Sequence, residues 1–127
     1  MSCCSDVMKP LVGSSCCTPK ETAAQAARAM RDSGCGCAPV VEDCENLKLV
    51  GVVTERDVCC SVVADDLHGG DVAVQEIMQP AHACCSMDDS MDQARQKLHE
   101  HQTNSLPVVN KAGSCCGTVS VHELKRS

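Results

Sequence analysis

Residues 51–54 read Gly-Val-Val-Thr, and residues 117–120 read Gly-Thr-Val-Ser. Upstream of each copy stands a second shared motif, Ala-Pro-Val-Val at 38–41 and Leu-Pro-Val-Val at 106–109. Two earlier pairs complete the series: Cys-Cys-Thr at 16–18 with Cys-Cys-Ser at 84–86, and Asp-Val-Met-Lys-Pro at 6–10 with Glu-Ile-Met-Gln-Pro at 76–80. Four matches in one order at nearly constant spacing indicate an internal duplication. The repeat therefore predicts two copies of one supersecondary unit, related by a pseudo-two-fold axis.

The composition limits how such a pair can be stabilised. A chain of 127 residues suits one compact domain, and each half alone would be marginal. Phe, Tyr and Trp are absent from the sequence, so the core lacks the large area that aromatic side chains bury. We therefore expect stability to depend on dimerisation or on a bound ligand.

The charge pattern excludes several kinds of partner. The net charge is −6, and the absence of a basic stripe argues against nucleic acid or an anionic membrane surface. No apolar run approaches the roughly 20 residues of a membrane span, and no signal peptide is visible. We therefore expect a cytoplasmic protein whose thirteen cysteines are reduced thiols.

Apolar spacing and capping residues predict the order β-α-β-β-α in each half. The first half has a short strand at 12–17, a helix capped by Thr18, strands at 37–41 and 47–53, and a helix from Thr54 to about Asp66. The second has a short strand at 84–85, a helix capped by Ser86, strands at 106–109 and 115–119, and a short helix from Ser120. The predicted fold class is α+β, a sandwich of small sheets with helices packed on one face. We place the first repeat at residues 1–67, with the N-terminal strand, and the second at 68–127.

The ordered motifs resemble a known family. Segments 6–10, 36–41 and 51–57, with their second-half counterparts, are similar to those of the cystathionine-β-synthase (CBS) domain, and the tandem pair resembles a Bateman module. The resemblance implies a regulatory module and no enzyme. It implies binding of AMP, ADP, ATP, S-adenosylmethionine or an NAD-like dinucleotide in clefts between the repeats, with no other cofactor. It also implies a homodimer and an unknown regulated protein.

The resemblance places the ligand at the helix that follows strand 47–53. A Gly-x-x-Thr/Ser-x-x-Asp segment holds ribose and phosphate in the family, which implies Thr54 and Asp57. A helix N-terminus favours phosphate, and Arg56 can add charge-assisted contacts. The alternative is that Thr54 and Asp57 form only a capping box.

The second half departs from this motif. Ser120 matches, but Glu123 stands where the family has Asp, and its extra methylene displaces the carboxylate. We therefore expect a weaker or empty second site. His122 takes the place of Arg56, so a phosphate contact there would depend on pH.

The resemblance also implies an adenine slot beside each Pro-Val strand. It is formed by Cys37, Ala38 and Pro39 in the first half and by Ser105, Leu106 and Pro107 in the second, with Cys16 and Cys84 as walls. The alternative is that all of these are core residues.

The cysteines leave a second class of function open. Vicinal pairs stand at 3–4, 16–17, 59–60, 84–85 and 115–116. Neighbours on a strand point to opposite faces, and no Cys-x2-Cys occurs, so small core residues are the simpler interpretation. Cys44 and the terminal pair keep redox sensing open. The alternatives are therefore a thiol-based metal-binding or redox-sensing protein on this scaffold, or a structural dimerisation module with degenerate clefts.

Overall fold

The computed structural model describes residues 3–10, 16–43, 45–121 and 124. It confirms the α+β class, with one four-stranded and one three-stranded sheet. The strand predicted at 12–17 and the helix predicted from Ser120 fall largely outside the described residues. Cys44, His122 and Glu123 also lie outside them.

The two halves contain matching elements. The first comprises α1 (Cys4–Val7), β1 (Lys9–Pro10), α2 (Ala23–Ser33), β2 (Cys37–Val41), β3 (Leu49–Thr54) and α3 (Glu55–Val58), which continues as a π-helical turn over Cys59–Val63. The second comprises α4 (Val74–Ile77), β4 (Gln79–Pro80), β5 (Cys85–Ser86), α5 (Met91–Glu100), β6 (Ser105–Val109) and β7 (Cys115–Ser120). The four longer strands therefore agree with the prediction to within two residues at each end.

The short strands β1 and β4 are exchanged between the halves. β1 pairs antiparallel with β7 of the second half, with Lys9 opposite Thr118. β4 pairs in the same way with β3 of the first half, with Gln79 opposite Val52. Each sheet is thus completed by the first strand of the other half. The sheet orders are β1-β7-β6-β5 and β2-β3-β4.

Glycine at one position of each sheet permits this exchange. A Cβ at Gly51 would lie 2.7 Å from the carbonyl oxygen of Gln79. A Cβ at Gly117 would overlap the carbonyl oxygen of Lys9. The glycines of the duplicated motif are therefore required by the close approach of the exchanged strands.

The exchanged segments also enter the opposite cores. Cys4 of α1 is fully buried with Leu98, Leu106 and Val119 of the second half. Val74 of α4 is buried in the core of the first half, in a cluster that also contains Ala26, Met30, Val40 and Val53. The halves are consequently joined by buried apolar contacts as well as by strand pairing.

The predicted N-caps of the two long helices are wrong by four residues. Thr22 caps α2, accepting a hydrogen bond from the Gln25 N–H at 3.2 Å, while Gln25 Oε1 accepts from the Thr22 N–H at 2.8 Å. Ser90 and Gln93 form the same capping box in α5. Each helix therefore begins one box later than expected.

Tertiary pairing explains the shift. The predicted box at Thr18 does form, since the Thr18 N–H donates to Glu21 Oε1 at 2.9 Å, but it closes an isolated turn. The Glu21 carbonyl then accepts the Val74 N–H at 2.7 Å, and the Ala23 N–H donates to Val72 at 2.8 Å. Because the Glu21 carbonyl and the Ala23 N–H bond to the other half, they cannot make the hydrogen bonds of a helix that starts at Thr18.

We expect Thr22→Ala to lower the free energy of unfolding by about 1 kcal/mol, because it removes a helix N-cap. Thr18→Ala is the matched control and should lose less than half of that. Urea denaturation measures both. Equal losses at the two sites would contradict the helix start at Thr22.

Candidate functional site

Among the described residues, two neighbouring cavities lie where strands β2 and β6 of the two halves begin. The first cleft, of about 150 Å³, is lined by Gly36, Thr54, Glu55, Arg56, Gln102, Thr103 and Asn104. The second cleft, of about 350 Å³, is lined by Lys9, Gly34, Cys35, Gly36, Asn104, Ser105, Thr118, Ser120 and Val121. Both take residues from both halves, and they share Gly36 and Asn104. Only the second cleft falls within the roughly 300–1,000 Å³ typical of small-molecule sites.

The first cleft contains an intact capping box at the start of α3. Thr54 is 3 % exposed, and its hydroxyl accepts the Asp57 N–H at 3.2 Å. Asp57 Oδ2 in turn accepts from the Thr54 N–H at 2.8 Å and from Thr54 Oγ1 at 2.9 Å. The capping alternative is therefore present in the structure, and a ligand role for Asp57 stays a prediction.

Two side chains from the second half bond to Asp57 and Arg56, and of these two side chains Gln102 lines the first cleft. Gln79 Nε2 donates to both carboxylate oxygens of Asp57 at 3.2 Å. Arg56 Nη1 donates to Gln102 Oε1 at 2.7 Å, which links the halves beside the cavity. A ribose that bonds to Asp57 would have to replace Gln79, and a phosphate that bonds to Arg56 would have to replace Gln102.

The second cleft contains a buried hydroxyl without a partner. Ser105 is 2 % exposed, and its Oγ makes no hydrogen bond within the part of the chain that the structure describes. The facing residue is Gly36, where a Cβ would lie 3.0 Å from that oxygen. A buried hydroxyl left unbonded is destabilising, so this feature fits a site where a ligand supplies the missing bond.

The other groups of the second cleft suit an anionic ligand. Lys9 contributes an ammonium group, which donates to the Ser33 carbonyl, and Thr118 and Ser120 contribute hydroxyls. Among the described residues that line this cavity, none carries a negative charge. Cations and hydroxyl donors in a partly buried site form strong charge-assisted bonds to phosphate or carboxylate.

The family model of the CBS domain matches residues 4–63 and 74–127. The chain belongs to the CBS domain family. Its fold is similar to the crystal structure of Hypoxic Response Protein I with two coordinated zinc ions (TM-score 0.82, 23 % identity, 98 % of each chain covered). It is also similar to a CBS domain protein of Pyrobaculum aerophilum complexed with AMP (TM-score 0.80, 23 % identity, 95 % of this chain and 88 % of that one).

A longer relative contains a region similar to this CBS pair. Inosine-5'-monophosphate dehydrogenase of Streptococcus pyogenes is 26 % identical over 110 residues, which is 86 % of this chain. The chain spans about a fifth (21 %) of the length of that dehydrogenase.

The site residues predicted from the sequence fall into three groups in this CBS pair. Thr54 and Arg56 line the first cleft, with Asp57 bonded to Thr54, and Ser105 and Ser120 line the second. The predicted adenine-slot residues of β2 and β6 are buried in the strands and line neither cavity: Cys37, Ala38, Pro39, Leu106 and Pro107. Cys16 and Cys84 pack against Val41, Leu49 and Cys115. His122 and Glu123 lie outside the described residues.

Sequence reasoning missed the residues that each half contributes to the other half's cleft. Lys9 and Gln79 occupy the same place in the duplicated Asp/Glu-x-Met-x-Pro motif, which was the available signal. Cys35 and Gly36 stand just before β2, and Asn104 stands just before β6. The motif marked Lys9 and Gln79, but the exchange of β1 and β4 decides which half each of them contacts.

Five of the twelve described cysteines of this CBS pair are buried. Every cysteine in the described ranges is free of a disulfide. Burial, followed by the charges of Glu21 and Cys16, raises the pKa of Cys17 to about 12. Burial likewise raises the pKa of Cys115 to about 12, against a hydrogen bond to Gly117 that lowers it. These groups stay protonated near neutral pH.

Within 3–10, 16–43, 45–121 and 124, no three or more His, Cys, Asp or Glu side chains come together as a metal would require. No helix in these ranges has the length and apolar character needed to cross a bilayer.

Proposed function

We propose that this CBS pair is a regulatory module that binds an adenosine-containing nucleotide between its halves. The observation that carries the proposal is the second cleft, where the unpartnered Ser105 hydroxyl and the Lys9 ammonium line one cavity of about 350 Å³. The AMP complex of the Pyrobaculum aerophilum relative supports an adenosine ligand. AMP, ADP, ATP, S-adenosylmethionine and an NAD-like dinucleotide are the candidates.

We further propose that the second cleft binds first. Sequence reasoning favours the first cleft because Asp57 matches the family motif, whereas Glu123 does not. The existing hydrogen bonds favour the opposite order, because Gln79 already bonds to Asp57 and Gln102 already bonds to Arg56. A ligand entering the first cleft has to displace both amides, and a ligand entering the second meets an unbonded hydroxyl.

The remaining features of the proposal combine the family resemblance, the N-terminal sequence and the lining of the second cleft. The module acts as a homodimer in the cytoplasm, performs no catalysis and transmits its ligand state to a regulated protein. Its repeats divide between residues 67 and 68. Asp57, Thr54 and Arg56 serve the first cleft, and Ser105, Ser120 and Lys9 serve the second.

Replacing Lys9 tests the second cleft. We expect Lys9→Gln to weaken AMP binding about tenfold, because a charge-assisted bond to phosphate is worth roughly 1.5–3 kcal/mol. Adenosine, which lacks the phosphate, should bind both proteins with similar affinity. Isothermal titration calorimetry under reducing conditions measures these affinities.

The matched control is Lys111→Gln, since Lys111 is an exposed residue of the turn between β6 and β7. It should leave AMP binding unchanged. An equal loss in both variants would indicate a general electrostatic effect and would contradict a contact at Lys9.

Asp57→Asn separates the two clefts, because Asn keeps an N3 side-chain acceptor for the capping box and removes the charge. We expect it to leave the tighter binding event unchanged and to weaken only a second one. Loss of all AMP binding would make the first cleft the principal site.

A thermal shift with zinc and none with any nucleotide would favour the thiol-based alternative.

A further inference from the structure

One thiol stands inside the second cleft. Cys35 follows the end of α2, where Gly34 adopts a left-handed conformation with φ 71°. It is half-buried and lines the cavity. Its Sγ lies 3.5 Å from the Thr118 hydroxyl oxygen of the other half, so the thiol stands at the junction of the halves.

The surroundings of Cys35 differ from those of the nearby Cys37. Cys37 stands two residues further along the chain and is 0 % exposed in the core. Cys35 instead shares its cavity with the ammonium group of Lys9 and with the buried, unpartnered hydroxyl of Ser105. A half-buried thiol that shares a cavity with a cation and an unpartnered hydroxyl can react with a small anionic reagent that binds in this space.

We propose that Cys35 is a thiol-modification site that forms a mixed disulfide with a low-molecular-weight, carboxylate-bearing disulfide, and that the adduct occupies the second cleft and excludes the nucleotide. The second part rests on the proposed function. The first part depends only on the position of Cys35 in the cavity.

The chemistry is ordinary thiol–disulfide exchange. The Cys35 thiolate attacks one sulfur of the reagent, a new S–S bond forms to Cys35, and the reagent's own S–S bond breaks. The other half of the reagent leaves as a thiolate and takes up the proton that Cys35 gave up. The small disulfide is the oxidant, and an excess of small thiol reverses the step.

The geometry explains why modification and ligand binding are mutually exclusive. A cavity of about 350 Å³ holds one small molecule, and an adduct on Cys35 is fixed within it. Carboxylates of the adduct can approach Lys9, the same cation that we assign to the nucleotide phosphate. The redox state of the small-thiol pool would thereby control nucleotide binding without the involvement of a metal.

Glutathione disulfide is the probe for the first part. The full chain is treated under native conditions and digested with trypsin, and fragment ions of the peptide 32–48 distinguish Cys35, Cys37 and Cys44. We expect Cys35 to be modified at least about tenfold faster than Cys37, because reactivity follows access. Equal rates would overturn the proposal.

AMP titration of the modified protein tests the second part. We expect its affinity to fall at least about tenfold and to recover when dithiothreitol removes the adduct. The AMP affinities of treated and untreated Cys35→Ser protein should differ by less than about twofold, although the exposed Cys59 and Cys60 still react in the treated protein. Unchanged affinity in protein that carries the Cys35 adduct would overturn the exclusion.

A matched variant removes the competing surface reaction. Cys59→Ser/Cys60→Ser lacks the two exposed thiols of the π-helical turn, and it should keep the full effect of glutathione disulfide on AMP affinity. Loss of the effect in this variant would place the responsible thiols on the surface and overturn the proposal. If untreated protein binds no nucleotide, the proposed function fails and the rates at Cys35 and Cys37 alone decide the modification site.

Discussion

Gly117→Ala is expected to lower the free energy of unfolding by roughly 2–3 kcal/mol, because overpacking against fixed backbone is strongly unfavourable. The added methyl group would overlap the carbonyl oxygen of Lys9 in the adjacent strand β1. A side chain could rotate away, but a main-chain carbonyl within a strand pair cannot. The variant should therefore force β1 away from β7 and loosen the second sheet. Urea denaturation under reducing conditions measures the loss.

Gly70→Ala is the matched control. A Cβ there would meet only the His68 imidazole, at 3.2 Å, and that side chain can move. We expect a change within about 0.5 kcal/mol, as for ordinary surface substitutions. If Gly117→Ala were as mild as Gly70→Ala, the close pairing of β1 with β7 would be contradicted.

Cys17 and Cys115 together should lower the free energy of unfolding by roughly 3 kcal/mol between pH 8 and pH 10, because these two buried thiols stay protonated in the folded state. Cys17 and Cys115 have a pKa of about 12 in the fold, against an ordinary value of 9.0. In this pH range the unfolded chain releases both protons and the folded chain keeps them. Raising the pH therefore favours the unfolded state, and stability is highest below about pH 9.

Urea denaturation at a series of pH values, with a phosphine reductant, measures this slope. Cys17→Ala should reduce the loss by roughly 1.4 kcal/mol, the contribution of one such thiol. Cys59→Ala, at an exposed site, should leave the slope unchanged. An undiminished slope in Cys17→Ala would show that the alkaline loss arises from other groups.

The strands could be predicted from the sequence because their signals are local. Dense apolar residues around each Pro-Val and Gly-x-Val motif are sufficient to place β2, β3, β6 and β7. The starts of α2 and α5 could not be placed in the same way. Thr18 and Thr22 both begin acceptable capping boxes, and the choice between them is made by the hydrogen bond from Val74 to Glu21, a contact between distant segments.

The candidate site was predictable to a similar degree. Thr54, Arg56 and Ser120 follow from a motif within one half, and the structure places each of them on a cleft. Lys9 and Cys35 line a cleft that also takes residues from the other half, so no pattern within a single half identifies them. Whether the Ser105 hydroxyl finds a hydrogen-bond partner depends on its three-dimensional surroundings, which the residue type alone does not reveal.

The exchange of β1 and β4 bears on how the protein is made. A ribosome releases the first half long before β7, the partner of β1, has been synthesised. During that interval Cys4 and the edge of β1 have no core or sheet to join. The sheet of the first half also stays incomplete until β4 has been synthesised. Closure of the second sheet must therefore pair Lys9 with Thr118, a step of high contact order that folds slowly. The nascent first half is the species that a chaperone would most need to protect.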